Sequence, residues 1–360
     1  MRIGIDVTKA CHRDGIGTYT RQLVRALMDI DTVNQYRLYY LPNISSESDL
    51  KNIFERMSDN FMIQGDIDHA TDEVDIFHST AFRIPRRFKG KLVFTVHDLT
   101  FITHPEYHTL SNKIYCLRAT TAAACYNAKF IAVSTHTKHD MIEYLGIPEE
   151  KIDVIYEAAD KKFQPVCNDE NNKYLSDKYG IQHPYIFNVG TIEPRKNIKR
   201  LLHAYSMLPE DIKATYSLVV AGGGGWLNSD IYSFVKESGL DNRIKFLGYV
   251  DDNDLPILYG SSDLFVYPSI YEGFGLPVLE AMSCGAPVII SQVSSLPEVT
   301  GDAAILIDPY DVNSIKVAII KVLTDRDTNV ELRVSGIKRS QYFSWEKTAE
   351  QTLTIYKRHS

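Results

Sequence analysis

Short apolar segments alternate with helical ones along this chain from end to end, and that alternation leaves few folds open. In the first half, strands are expected near residues 2–7, 36–41, 74–77, 92–96, 129–133 and 152–155, with helices over 17–30, 110–127 and 135–145. The second half repeats the pattern. Its strands are expected near 185–189, 217–221, 244–247, 264–267, 287–290 and 304–307, and its helices over 198–207, 252–259, 277–284 and 312–323. Apolar strands this short, each followed by a helix, form parallel sheets covered on both faces. The expected class is therefore α/β: two Rossmann-like, doubly wound parallel-sheet domains facing a cleft. A chain of 360 residues is long enough for both. The polar stretch 166–183, with Asn168-Asp169-Glu170-Asn171-Asn172, is the weakest core former and the expected linker. It places one domain at 1–167 and the other at 168–343.

On such sheets ligands bind beyond the carboxyl ends of the strands, and one strand end stands out. The segment 262–268 reads as a buried strand, and Tyr271-Glu272-Gly273-Phe274-Gly275-Leu276-Pro277-Val278-Leu279-Glu280 follows it. Pro277 suits the first helical position, and Gly285 the stop. A glycine loop thus opens onto a helix N-terminus, whose N–H groups favour an anion. Glu272 lies in the loop and Glu280 one turn inside the helix. For Glu280 alone, a helix-start acid favoured by the dipole is an adequate reading. Glu272 among Gly273, Phe274 and Gly275 fits a surface acid poorly. Two carboxylates around an anion site suit a sugar nucleotide.

Other strand ends carry polar groups. Asp14-Gly15-Ile16-Gly17 opens the first helix without completing a dinucleotide fingerprint, since Thr20 stands where the third glycine would be. Taken alone, Gly15 and Gly17 read more readily as a tight turn. His97 and Asp98 end another strand; they could meet a sugar or satisfy nearby backbone. After the strand near 185–189, Glu193-Pro194-Arg195-Lys196-Asn197 puts adjacent cations at a helix start, which the dipole disfavours, so a bound anion would explain them. A solvated charged turn is the ordinary alternative. The run Ala221-Gly222-Gly223-Gly224-Gly225-Trp226 could cradle a ligand or serve as a turn.

The composition excludes several classes. Apolar residues make up 44% and charged residues 24%, as in ordinary globular proteins, and a net charge of −7 argues against a general nucleic-acid binder. Cys11, Cys116, Cys125, Cys167 and Cys284 are an odd, scattered set, suited to a reducing compartment and to neither a disulfide framework nor a zinc site. The N-terminus reads as a strand and not as a signal peptide. No run approaches the ~18 apolar residues of a membrane span. Asp-x-Asp pairs at Asp29/Asp31, Asp66/Asp68 and Asp325/Asp327 fall at helix ends or loops and make no cation site. A cytoplasmic protein is expected. Arg83, Arg86, Arg87, Lys89 and Lys91 crowd one segment that is either a solvated loop or a patch drawn to anionic lipid or a lipid-linked pyrophosphate. The second reading adds a peripheral position at the inner face of the plasma membrane.

Taken together, these segments resemble the family 4 retaining glycosyltransferases, which share the two-domain GT-B fold. The resemblance spans the chain and is strongest over 188–197, 218–226 and 244–308. EGFGLPVLEAMSCGAPV with GTIEPRKN upstream is its specific part. The resemblance implies that Glu280 binds the nucleotide ribose. It gives Glu272 and the backbone of Gly273, Phe274, Gly275 and Leu276 the donor sugar and phosphate. Arg195 and Lys196 would bind the diphosphate, Gly15 and Gly17 would lie against it, and His97 and Asp98 would face the sugar. Backbone at Tyr249 and Val250 would meet the base. Many members carry arginine where Thr191 stands, so the diphosphate clamp here would lean on Arg195 and Lys196. A final helix, over about 344–360, would return to the first domain.

GTIEPRKN looks most like mannosyltransferases of bacterial surface-polysaccharide assembly. The implied activity is metal-independent, cofactor-free retaining transfer of a hexose, mannose from GDP-mannose, to a glycan or polyprenyl-pyrophosphate-linked saccharide. The family is thought to react by front-face substitution, with closure of the cleft excluding water. Alternatives are transfer of glucose or an N-acetylhexosamine from a UDP-sugar, sugar-nucleotide epimerisation, and nucleotide-sugar binding without turnover. The failed glycine fingerprint disfavours a nicotinamide dehydrogenase.

Overall fold

A computed structural model describes residues 1–69, 74–86, 88–166, 169–224 and 229–359. Cys167, Asn168, Arg87, Gly225 and Trp226 lie outside the described residues. The strands are β1 (Arg2–Asp6), β2 (Gln35–Tyr40), β3 (Phe61–Asp66), β4 (Ile76–Ser79), β5 (Lys91–Val96), β6 (Lys129–Ala132) and β7 (Ile152–Val154). After them come β8 (Tyr185–Val189), β9 (Ser217–Ala221), β10 (Ile244–Gly248), β11 (Leu264–Tyr267), β12 (Val288–Ser291) and β13 (Ile305–Ile307). Among the described residues they make two sheets, ordered β3-β2-β1-β4-β5-β6-β7 and β10-β9-β8-β11-β12-β13. Neighbouring strands are parallel.

The chain divides into two compact units. One is Met1–Ala158 with Ser344–Ser360, and the other is Ala159–Phe343. In the first, the Trp345–His359 helix buries Trp345, Thr348, Ala349, Thr352 and Tyr356. These recur at helical spacing and form a single face. Thr348 Oγ1 donates to the Tyr156 carbonyl at 2.7 Å, and the Tyr356 hydroxyl lies 2.6 Å from His78 Nδ1. The core of this unit gathers Phe77, Phe94, Val96 and Phe130 around β4–β6, while that of the other gathers Leu218, Val220, Leu264 and Val266.

Helices such as Glu47–Ile53 and Arg326–Ser340 go beyond the sequence expectation, as do two further elements. β3 was not anticipated because only Phe61 is buried along it. It pairs with β2 alone, so it has little need of the apolar run that marks a central strand. The expected linker contains a helix, Asp169–Tyr179. Its composition is polar, but Leu175 is fully buried and Asp254 collects three donors from it. Tyr174 Oη approaches to 2.9 Å, Lys178 Nζ to 2.6 Å and Tyr179 Oη to 2.5 Å. A tertiary carboxylate, not an apolar stripe, fixes that helix.

Candidate active site

The strand order of the second unit reverses between β8 and β11, and ligands on doubly wound sheets sit at such a switch. The loops after these two strands carry the residues singled out above. Beyond β8, Gly190 adopts φ 150°, and beyond β9, Gly222 adopts φ 134°. A Cβ on Gly222 would lie 2.0 Å from the Gly190 carbonyl oxygen. Backbone contact between two loops explains this glycine without a ligand. A short 3-10 turn, Pro194–Lys196, follows. Asn197 ends it at φ 59° and donates its side-chain amide to the carbonyls of Pro268 at 2.9 Å and Pro309 at 2.7 Å. The turn is thereby tied to the segment after β11.

That tie brings Arg195 and Lys196 to Glu272. The Glu272 Oε1 atom accepts from Lys196 Nζ at 2.6 Å, Ser269 Oγ at 2.6 Å and Tyr267 Oη at 3.0 Å. Arg195 Nη1 lies 3.0 Å from Oε2 and donates to the Tyr271 carbonyl at 2.8 Å. Burial alone would push the Glu272 carboxyl up, but the charges of Arg195 and Lys196 and the hydrogen bonds from Lys196 and Ser269 outweigh it and hold it down to about 2. Burial and Arg195 together push the Lys196 ammonium below its ordinary value despite Glu272. Arg195 also meets Glu193 Oε1 at 2.7 Å. Two protein carboxylates thus balance the two cations for which a bound anion was expected. Lys196 Nζ also donates to Tyr267 Oη at 2.7 Å and lies 5.2 Å from the centre of that ring.

The Leu276–Ser283 helix starts one residue before Pro277, after Gly275 at φ 106°, and no side chain caps it. Ser295 Oγ donates to the carbonyls of Glu272 at 2.8 Å and Phe274 at 2.9 Å, and Glu272 N donates to Ser294 Oγ at 3.0 Å. These bonds set the loop's shape. The side chains of Phe274 and Leu276 are buried, and the Phe274 ring packs edge-on to Phe343 with centres 5.7 Å apart. Their side chains belong to the core, leaving the backbone for any ligand. Glu280 receives the Tyr259 hydroxyl at 2.9 Å. Burial raises its carboxyl to about 7, against the opposing pull of Tyr259 and Lys162. After β10, Val250 is buried and Tyr249 exposed, its hydroxyl 3.2 Å from Asp252 Oδ1.

In the first unit, the order reverses between β1 and β4. A Cβ on Gly17 would lie 2.1 Å from the His12 carbonyl oxygen, whereas one on Gly15 would meet nothing within 4 Å. Gly17 is required by its own turn; Gly15 faces open space. Asp14 caps the Gly15–Ile30 helix by accepting from Gly17 N at 2.7 Å. His97 has its ring nitrogens against two acceptors, the Thr80 carbonyl at 2.9 Å from Nε2 and Glu157 Oε1 at 3.2 Å from Nδ1. Neither acceptor carries a proton to give when Glu157 is ionised, so the ring is bonded best as imidazolium. Burial would lower its pKa, but the Glu157 bond and charge reverse that and raise it. Both nitrogens being engaged, His97 offers charge more than a further hydrogen bond. Asp98 Oδ1 accepts from Thr100 N at 3.0 Å and Oγ1 at 2.6 Å, the local role weighed above.

Sequence reading missed Tyr267, Ser269, Glu193 and Glu157, whose only available signal was nearness to a strand end, and Tyr259, which lies in the Leu255–Gly260 helix. Among the described residues no group of three or more His, Cys, Asp or Glu side chains converges as a metal site. Cys11, Cys116, Cys125 and Cys284 are free thiols. In the basic segment, Arg86 pairs with Asp68 at 3.5 Å, and the Arg83 guanidinium lies 5.9 Å from the Tyr115 ring centre.

Two doubly wound parallel sheets, with cations and carboxylates at a topological switch, are those of a GT-B glycosyltransferase. The chain belongs to the family 4 glycosyltransferases. Residues 49–163 match the model described as Glycosyltransferase Family 4, and 173–339 that of Glycosyl transferases group 1. It is 34% identical to O-antigen chain mannosyltransferase B of Escherichia coli, over 95% of this chain and 96% of that one. It is 36% identical to the serotype-specific mannosyltransferase WbdA of E. coli, over 63% of this chain and 28% of that longer protein. Among solved structures, Anabaena Alr3699/HepE in complex with UDP and glucose superposes with a TM-score of 0.79, at 20% identity over 99% of this chain and 100% of that one. WaaG, a glycosyltransferase involved in lipopolysaccharide biosynthesis, gives 0.75 at 14% identity, over 98% and 99%. At those identities the likeness concerns the fold.

Proposed function

We propose that this enzyme transfers mannose from GDP-mannose, with retention and without a metal ion, to a glycan or lipid-linked saccharide in surface-polysaccharide assembly. The likeness along nearly the whole chain to a protein named as an O-antigen mannosyltransferase supports the sugar. The chemistry is carried by one observation: Glu272 holds the side chains of Arg195 and Lys196 together beside an uncapped helix start.

When the anomeric C–O bond breaks, charge appears on the departing diphosphate. Arg195, Lys196 and the first N–H groups of the Leu276–Ser283 helix are fixed donors for that charge, and preorganised donors of this kind commonly dominate rate enhancement. Glu272 keeps Oε2 less crowded than Oε1, so a sugar hydroxyl has one carboxylate oxygen to meet. Its low pKa keeps it ionised, and the cations and donors that draw on its oxygens weaken it as a nucleophile. The acceptor oxygen then bonds to the anomeric carbon on the face the phosphate leaves, and its proton passes to a phosphate oxygen. Glu280, partly open to solvent, is the carboxylate for the ribose hydroxyls.

The test is a panel of GDP-mannose, UDP-glucose, UDP-N-acetylglucosamine and UDP-galactose against lipid-linked saccharides, with products analysed by mass and by anomeric NMR. An α-linked mannoside from GDP-mannose is expected. A product formed from a UDP-sugar, or an inverted linkage, overturns the reading.

A further inference from the structure

Arg339 stands in the last turn of the Arg326–Ser340 helix, outside the groups that meet the donor, and its guanidinium is engaged in two ways. Nε donates to the Val299 carbonyl at 2.9 Å and Nη2 to the Glu298 carbonyl at 2.7 Å. Both carbonyls lie near the end of the Leu296–Thr300 helix, where backbone acceptors lack intrahelical donors and a cation is favoured. A planar fork can meet both at once. The guanidinium also lies 5.1 Å from the Tyr342 ring centre and 5.0 Å from that of Phe343.

Each engagement leads to the glycine loop after β11. The other end of the Leu296–Thr300 helix grips that loop directly. Ser295 Oγ donates to the carbonyls of Glu272 and Phe274, and Ser294 Oγ accepts from Glu272 N. A Cβ on Gly275 would lie 2.6 Å from Leu296 Cδ2, so loop backbone rests on this helix. Ser294 holds φ 56°, a left-handed conformation that a residue with a Cβ keeps only when its surroundings fix it. Along the second route, the Phe343 ring packs edge-on to Phe274. Gly273 and Gly275 flank Phe274 and give the loop a freedom that must be restrained from outside.

We propose that Arg339 is a positioning residue: through the Leu296–Thr300 helix and through Phe343 it fixes the shape of the Glu272–Leu276 loop. The proposal rests on the donor-binding reading of that loop for its effect on turnover, and on the contacts alone for its effect on the loop. A backbone misplaced by roughly 1 Å can cost about 10²-fold in rate.

The test compares the full chain with its Arg339→Met, Arg339→Lys and Arg333→Met variants. Arg333, on the same helix, is the matched control, because its Nη1 and Nη2 donate to the carbonyls of Gly285 at 2.9 Å and Ser262 at 3.1 Å, neither in the loop. Amide hydrogen exchange without ligand is read by mass spectrometry on peptides covering the loop and on others covering β8 and β9. Arg339→Met should speed loop exchange about tenfold or more and leave the strands as in wild type. With GDP-mannose, its kcat/KM should fall about 10–100-fold. Arg339→Lys, which keeps the charge and can reach one carbonyl, should recover part of both losses. Loop exchange unchanged in Arg339→Met overturns the proposal, as does equal acceleration in Arg333→Met. Turnover unchanged despite a loosened loop overturns it too. Should wild type fail to use GDP-mannose, the donor reading falls, and the exchange result still decides whether Arg339 holds the loop.

Discussion

Lys196 Nζ lies 2.6 Å from Glu272 Oε1, joining the turn after β8 to the loop after β11 across 76 positions of sequence. The pair is buried, and such a pair is costly to break by removing one partner. Its persistence at a strand-order reversal gives the cations a fixed place before any anion meets them. Glu193 does for Arg195 what Glu272 does for both.

Lys196→Ala should lower kcat by about 10²–10³ with little change in KM for the donor, because its contact strengthens as the diphosphate gains charge. Steady-state kinetics beside Arg195→Ala and the double variant decide it. A higher KM with unchanged kcat would make Lys196 a ground-state binder.

Tyr267→Phe keeps the ring under Lys196 and removes the hydroxyl that links it to Glu272. Losing an acceptor disfavours the charged amine, so the Lys196 pKa, already lowered by burial, should fall further. The alkaline limb of the kcat profile should move to lower pH, with kcat reduced several-fold. An unchanged pH profile assigns Tyr267 to packing alone.

Glu280 carries the opposite shift. Its carboxyl titrates near 7 because burial disfavours the charge. Nucleotide that bonds the carboxylate through ribose should bind more tightly as pH rises through 7, releasing a proton below that point. Calorimetry of GDP in buffers of differing ionisation enthalpy measures the proton. Glu280→Gln should cost roughly 1–3 kcal/mol of nucleotide affinity. It should also remove the stability penalty that wild type acquires as pH rises from the ordinary glutamate value through 7, read as Tm.

His97 links stability to pH in the first unit. Its pKa is raised above 6.5, so the stabilisation from the Glu157 pair is fully present below 6.5 and is lost as pH rises through the raised value. Glu157→Gln should lower the His97 titration point, read by NMR of the ring protons, and flatten that part of the Tm profile. A titration point that does not move would assign the shift to the Thr80 carbonyl.

If side chains and helix N–H groups meet the phosphate charge as proposed, turnover should be unchanged by a chelator. Loss of activity restored by manganese or magnesium would place a cation in the reaction.

Much of this was legible in the chain itself. Strands such as β11 and β12 are short, apolar and bounded by helices, and their local pattern names the sheet type. Gly273 and Gly275 before Pro277 mark the helix start, and the two glutamates flank it. Local composition carries these because each depends on neighbours within one or two turns. The tertiary structure decided the rest. It set Tyr267 and Ser269 on Glu272, Glu193 on Arg195, and Glu157 on His97, and it turned a polar expected linker into a helix held by Asp254. The last of these joins residues 76 positions apart, as does the pair of Lys196 and Glu272. Local pattern carries no record of such separations. The charge states of Glu272 and Glu280 diverge for the same reason: desolvation pushes both carboxyls up, but chain folding delivers two cations to only one of them.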